Sequence, residues 1–200
     1  MSAAFLLGLF GNVFILYANV SYRAIKLDRM SVWIINNLAV ADLATALINV
    51  FPFMVNGIAD NKWVLGTFYC QLQALAMSPP VVANNYLINI LQFNKIYRCL
   101  FPFRALSSGR GPKIFITIIV VLISLAPALK VLILKFVMCD KVMVMYLPQI
   151  SFCVYFYHYP GCYDKPGVKA FTHGTDAMSI AVPMVGLIIS TLLLIGIVLG

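Results

Sequence analysis

Five stretches of this chain, about 3–22, 31–57, 69–98, 113–137 and 177–200, are each long and apolar enough to cross a lipid bilayer. A helix rises about 1.5 Å per residue, so roughly 20 mainly apolar residues span ~30 Å of hydrocarbon. Hydrophobic residues make up 62% of the 200 and charged residues only 10%, with a mean hydropathy of +0.97. A soluble domain carries about a quarter charged residues to face water, and this chain has nothing comparable. The runs are continuous rather than alternating, which argues against a barrel. The expected fold class is therefore all-α: a single multispan transmembrane helix bundle over residues 1–200. The first run has no basic leader and no small-residue cleavage site, and Asn12 interrupts its centre, so it reads as a true span rather than a signal peptide.

Charge sets the expected orientation. The 21–30 loop carries Arg23, Lys26 and Arg29 against Asp28, and the segment after the third span carries Lys95, Arg98, Arg104, Arg110 and Lys113 with no acid. Across the bilayer, Asp60 balances Lys62, while Asp140, Asp164 and Asp176 balance Lys141, Lys165 and Lys169. Positive loops stay cytoplasmic. This predicts a multi-pass plasma-membrane protein with its N-terminus outside, loops 21–30 and 99–112 inside, and loops 58–68 and 138–176 outside. The same basic residues would touch lipid headgroups, and short loops between spans give no reason to expect nucleic acid. Asn19-Val20-Ser21 is a glycosylation sequon on the inner side and should stay unmodified.

Cys70, Cys139, Cys153 and Cys162 all fall outside, where disulfides persist, and spacing leaves three complete pairings open. Cys99 lies inside, as a free thiol or a palmitoylation site. The 138–176 segment is too long for a simple connection and is rich in Tyr and Phe, which argues against disorder. Its two histidines, His158 and His173, lack partners at ligand spacing and are weak evidence for a metal.

Asp42 sits inside the apolar run Asn37-Leu38-Ala39-Val40-Ala41-Asp42-Leu43. A carboxylate there costs at least ~2.5–3.5 kcal/mol unless it faces a polar interior. Asp42, Thr45 and Asn49 form one ridge on the second helix, and Asn85, Asn89 and Gln92 form another on the third, which belongs at the bundle centre. Pro52 should kink the second helix and the Pro79-Pro80 pair should break or bend the third, while Pro127 and Pro183 fall inside the fourth and fifth. Lys130 and Lys135 lie near the outer interface and read as snorkelling side chains. With six acidic residues, no glutamate and no phosphate-loop, GxSxG or HExxH pattern, the chain is not expected to be an enzyme.

Several landmarks together resemble the rhodopsin-like (class A) G-protein-coupled receptors over their first five helices. These are Gly11-Asn12, the Asn37–Leu43 run, Trp63-Val64-Leu65-Gly66-Thr67-Phe68-Tyr69-Cys70, Pro102 and Pro183, in order and in register. The resemblance implies seven helices, so the chain reads as five spans of seven, cut before the sixth. The family's Asp-Arg-Tyr triplet falls at Asn94-Lys95-Ile96, where the acid is neutral and the lysine lacks arginine's planar fork. Thr117 and Ile118 stand in the region of the family's helix-four tryptophan.

The resemblance also implies sites. Asp42 with Asn12 and Asn84 becomes an ion or polar-switch site, with sodium at Asp42 as the implied ion. The competing reading is a hydrogen-bonded Asp–Asn cluster. Cys70 would pair with Cys162, chosen for its family-like distance from Pro183, with Cys139–Cys153 as a second bond. Met77, Ser78 and Val81 with Thr175 and Ser179 would line a ligand pocket. Met77 replaces an amine-binding aspartate, so the expected ligand is a peptide or a neutral lipid-like molecule. Asn94, Lys95, Ile96, Arg98 and Pro102 would face a heterotrimeric G protein. The expected function is that of such a receptor, or of a non-signalling form that dimerises with full-length receptors. The alternative is an ion or solute transport or channel protein using the polar faces of helices two and three.

Overall fold

Prolines and polar side chains shape the helices seen in the computed structural model, which describes residues 2–21, 29–101, 110–138, 143–148, 152–156 and 165–199. Helix α1 runs Ser2–Ser21 and helix α2 runs Arg29–Ile58, the latter with a π-helical turn at Ala46–Val50. Helix α3 comes in two pieces, Gly66–Ala76 and Ser78–Leu100, that meet at Met77. Helix α4 runs Arg110–Ile133 and continues into a π-turn at Leu134–Met138. Helix α5 comprises Pro166–Asp176, a π-turn at Ala177–Ala181, and Val182–Leu199. Between α4 and α5, strands β1 (Met143–Leu147) and β2 (Phe152–Phe156) pair antiparallel, with Tyr146 opposite Cys153.

The bundle is turned inside out relative to a water-soluble one. Leu7, Phe14, Leu122, Phe136 and Leu192 are more than 60% exposed, as lipid-facing side chains should be. Three helical stretches, Arg29–Ile58, Arg110–Phe136 and Gly167–Ile197, are long and apolar enough to cross a membrane on composition alone, and Phe5–Ser21 is a shorter apolar helix. Helix α3 is not among them, because Asn84, Asn85, Asn89, Gln92 and Asn94 lower its hydropathy. It packs against α2, α4 and α5, which shield it from lipid. Met30, Ile34, Leu87 and Val120 form the buried apolar core between α2, α3 and α4.

The 138–176 segment departs from expectation. It holds a hairpin, and α5 begins at Pro166 rather than near 177. Proline suits a first helical turn, where its missing N–H has no partner to lose. The polar residues Lys169, Thr172, His173 and Asp176 hid this helical start from a hydropathy reading. The turn between α2 and α3 is tight: Asp60 and Asn61 have φ of 53° and 57°, and Gly66 has φ of 80°. The indole N–H of Trp63 closes it by donating to the Gly66 carbonyl at 2.8 Å.

Candidate functional site

At the hairpin end, Cys70 of α3 is bonded to Cys153 of β2, with Cα atoms 5.2 Å apart. This corrects the expected Cys70–Cys162 pairing and rules out Cys139–Cys153; Cys139 and Cys162 themselves lie outside the described residues. The physical reason is the hairpin. Strand pairing carries β2 across the top of α3, where Cys70, Ala74 and Cys153 pack with Trp63, Val144, Tyr146 and Tyr155. Gln73, fully buried, fixes the arrangement by accepting the Cys153 backbone N–H at 3.0 Å. Tyr146 stacks at 5.4 Å on Trp63 and donates to the Asn61 carbonyl at 2.9 Å.

Beneath this hairpin lies a cavity of about 450 Å³ between α2, α3, α4 and α5. Met77, Ser78, Val81 and Ser179 line it. Thr175 does not: it faces a shallow groove between α4 and α5 with Ala126 and Phe171, and its hydroxyl donates to the Phe171 and Thr172 carbonyls. The π-turn at Ala177–Ala181 adds a residue to that turn, so counting back from Pro183 at regular helical spacing puts Thr175 on the wrong face. The cavity also holds residues whose role the sequence did not disclose. Lys130, with only 8% of its side chain exposed, forms an ion pair with Asp176, which is 48% exposed. Lys130 therefore points into the bundle rather than to the interface. Ser179 Oγ and Asn49 Oδ1 line the same cavity, are buried, and have no hydrogen-bond partner among the described residues.

Midway along the bundle, Asn84 Nδ2 donates to Asp42 Oδ1 at 2.6 Å. The carboxylate thus meets an amide of the central helix. Asn12 does not join the pair through a hydrogen bond; its amide donates instead to the Gly8 carbonyl on its own helix at 2.8 Å. Asn84 Oδ1 is buried with no hydrogen-bond partner among the described residues. Asn37 and Thr45 likewise bond back to Trp33 and Ala41 carbonyls on α2.

At the opposite end, the residues expected to face a partner divide. Lys95 and Arg98 are exposed, whereas Asn94 is 1% and Ile96 7% exposed. Asn94 Nδ2 donates to Ser31 Oγ at 3.0 Å, tying α3 to the start of α2. A neutral amide can be buried against a hydroxyl without a charged partner. Pro102 lies outside the described residues. Asn19 donates to Asn36 Oδ1 at 2.6 Å, so the sequon asparagine is held between α1 and α2. Among the described residues, no group of three or more His, Cys, Asp or Glu side chains could hold a metal.

No family model matches the chain. A GQ-coupled rhodopsin of Mizuhopecten yessoensis is 31% identical over 67 residues, which is 34% of this chain and 13% of that protein. The crystal structure of squid rhodopsin aligns with a TM-score of 0.70 at 16% identity, covering 97% of this chain and 52% of that one. The chain thus spans about half the length of squid rhodopsin. It is a multi-pass membrane protein with the fold of the rhodopsin-like G-protein-coupled receptors over their first five helices.

Proposed function

We propose that the chain works as a rhodopsin-like receptor, binding an extracellular ligand at the hairpin end and signalling to a heterotrimeric G protein at the other. The observation that carries this reading is the cavity itself. It is roofed by a hairpin tied to α3 through Cys70–Cys153 and floored by Met77, Ser78 and Val81 of that same helix. A ligand there would touch α2, α3, α4 and α5 at once, the arrangement that lets binding shift the balance between two helix packings. The positive loops support an orientation with the hairpin outside and the N-terminus outside with it. The exposed Lys95 and Arg98 would then meet the G protein, while Asn94 would act within the bundle through Ser31.

A transport pathway has less support. Asn49, Gln73, Asn84 and Asn89 donate to helix carbonyls or to Asp42, which commits their amide N–H groups to holding helices together. The implied sodium ion at Asp42 would require Asn84 to turn its buried Oδ1 toward the carboxylate, in place of the N–H it now offers. Asp42 and Asn84 would then be its oxygen donors from this chain.

The deciding experiment reconstitutes the chain in vesicles with purified G protein and follows both nucleotide exchange and ion flux. Exchange that responds to an added ligand and falls on Val81→Trp supports the receptor reading. Ion flux abolished by Asp42→Asn, with no exchange under any ligand, overturns it.

A further inference from the structure

Helices α4 and α5 meet toward the hairpin end and part below it. α4 packs against α5 over Pro166–Asp176 and the π-turn, and much less against Val182–Leu199. The gap holds a second cavity, of about 550 Å³, floored by α3. Its apolar walls are Ile90 and Phe93 of α3, Ile116 of α4, and Ile189 and Leu193 of α5. Phe93, Ile189 and Leu193 are each more than half exposed, so the gap opens sideways toward lipid. The polar side chains in it are already engaged: Asn89 with the Pro183 and Asn85 carbonyls, Ser190 with Gln92 Oε1, Asn94 with Ser31 Oγ. What remains of the wall suits hydrocarbon rather than a polar body.

The end of the gap away from the hairpin is different in kind. Met30 and Ile116 line it there. Arg29 precedes Met30, while Lys113 and Arg110 lie one and two turns before Ile116, on the same face of α4. The Lys113 ammonium reaches across to the Arg29 carbonyl at 3.4 Å, so the α4 cation stands over the first residue of α2. The described carboxylates all lie elsewhere: Asp42 midway along the bundle, Asp60 in the α2–α3 turn, and Asp176 in the cavity beneath the hairpin. An apolar slot thus ends in positive charge.

We propose that this gap binds an anionic phospholipid, with one acyl chain lying along α3 between α4 and α5 and the headgroup phosphate meeting Arg29 and Lys113. Charge complementarity selects the occupant. A sterol or a helix of a second copy would cover the apolar wall but bring no negative group to the cations. Basic sites between membrane helices at headgroup depth recognise anionic lipids. The site lies apart from the cavity beneath the hairpin and does not depend on what that cavity binds. A chain seated there sets the spacing of α4 and α5 at the end away from the hairpin.

The test uses the full chain in neutral detergent, with native mass spectrometry counting bound lipids. Phosphatidylserine and phosphatidylcholine with identical chains are titrated, and a phosphatidylserine carrying a photoactivatable group in mid-chain reports where the chain lies. One basic side chain near an anionic headgroup is worth about fivefold in binding, so two give roughly twentyfold. The first phosphatidylserine should bind at least about tenfold tighter than phosphatidylcholine. Arg29→Gln/Lys113→Gln should bring the two lipids within about twofold of each other, and Arg29→Lys/Lys113→Arg should keep the preference. Leu193→Trp, which fills the gap, should weaken the first site, and Leu192→Trp should not. The photolabel should fall on peptides holding Phe93, Ile116 or Leu193. Should the double glutamine variant fail to fold, high salt should shrink the preference of the parent chain instead.

Equal binding of the two lipids, or a preference that survives both the double glutamine variant and high salt, would overturn the headgroup contact and the proposal with it. So would labelling spread evenly over α1, or first-site binding indifferent to Leu193→Trp. Competition by glycerophosphoserine as strong as by the intact lipid would overturn the seated acyl chain. A dimer broken by Leu193→Trp while lipid binding is unchanged would give this face to a second copy and overturn the lipid.

Discussion

Gln73 Nε2 donates at 3.3 Å to the carbonyl of Ile48, the residue four before Pro52. Proline has no N–H, so within a helix the carbonyl four residues back loses its donor. Here α2 answers with a π-turn at Ala46–Val50, and α3 supplies the missing donors from its side chains. The Tyr69 hydroxyl donates to the Leu47 carbonyl at 2.6 Å, and in return Asn49 donates to the Met77 carbonyl at the break in α3, at 3.1 Å. The pattern recurs at α5, where Tyr86 donates to the carbonyl of Met178, five before Pro183 in the π-turn, while Asn89 adds a second bond to the carbonyl of Pro183 itself. The central helix is polar because it completes the hydrogen bonding of two proline-bent neighbours.

Replacing Gln73 with leucine should leave the Ile48 carbonyl and the Cys153 N–H unpaired in a buried place. Each such loss costs about 1–3 kcal/mol. Thermal unfolding in detergent should show a clear fall in midpoint for Gln73→Leu and a much smaller one for a lipid-facing control such as Leu192→Ala.

Loss of the Cys70–Cys153 bond should destabilise the hairpin end strongly. The bond closes a loop across 83 residues, for which chain entropy alone gives up to about 4–5 kcal/mol. Non-reducing mass mapping should find the Cys70–Cys153 peptide, and Cys162→Ser should leave it in place, whereas Cys153→Ser should lower the midpoint and free Cys70 for maleimide.

Gly186 lies where a Cβ would come within 2.5 Å of Asn89 Oδ1. Gly186→Ala should push the Asn89 amide off the Pro183 carbonyl and cost about 1 kcal/mol, one hydrogen bond's worth. In a double-mutant cycle with Asn89→Ala, the two costs should fall short of additive, since both remove the same contact. Additive losses would mean that the two residues act separately.

Removing the Asp42 carboxylate should strand the Asn84 amide. Asp42→Ala should cost about 1–3 kcal/mol, and Asp42→Asn less, because an amide oxygen still accepts from Asn84. Comparing midpoints in sodium chloride and choline chloride tests the ion: stabilisation by sodium that disappears in Asp42→Asn would place a cation there, and identical midpoints would leave the hydrogen-bonded pair alone.

Gly66, at φ of 80°, occupies backbone space that side chains other than glycine adopt with strain. Gly66→Val should cost more than about 1 kcal/mol and disturb the Trp63 contact, seen as a shift in tryptophan emission. Gly57→Ala, with open space at its Cβ, should do neither.

Asp42 pairs with Asn84 in the sequence only through the resemblance to rhodopsin-like receptors; the polar ridges by themselves say no more than that both side chains turn to the interior. Met77, Ser78 and Val81 likewise come from that resemblance, and the structure puts all three on the cavity wall. Cys153 was not legible in the sequence. Five-residue strands within an aromatic segment carry no clear period, and only the hairpin's register brings Cys153 over α3. Thr175 fell on the wrong face because a π-turn shifts helical phase, and nothing in Ala177–Ala181 announces one. Asn12 was grouped with Asp42 by analogy, and its amide found a nearer acceptor in Gly8.

From composition and charge alone, this chain had to be a bundle of membrane helices with its most polar helix at the centre, since lipid leaves polar groups no other place. Which way each helix turned was decided by packing. The same lysine that could have reached for the interface at one rotation meets Asp176 at another, and helix rotation depends on neighbours distant in the chain. The cavity's charge pair, the disulfide's partner and the carbonyls served by Gln73 and Asn89 all follow from contacts of that kind, which local periodicity does not encode.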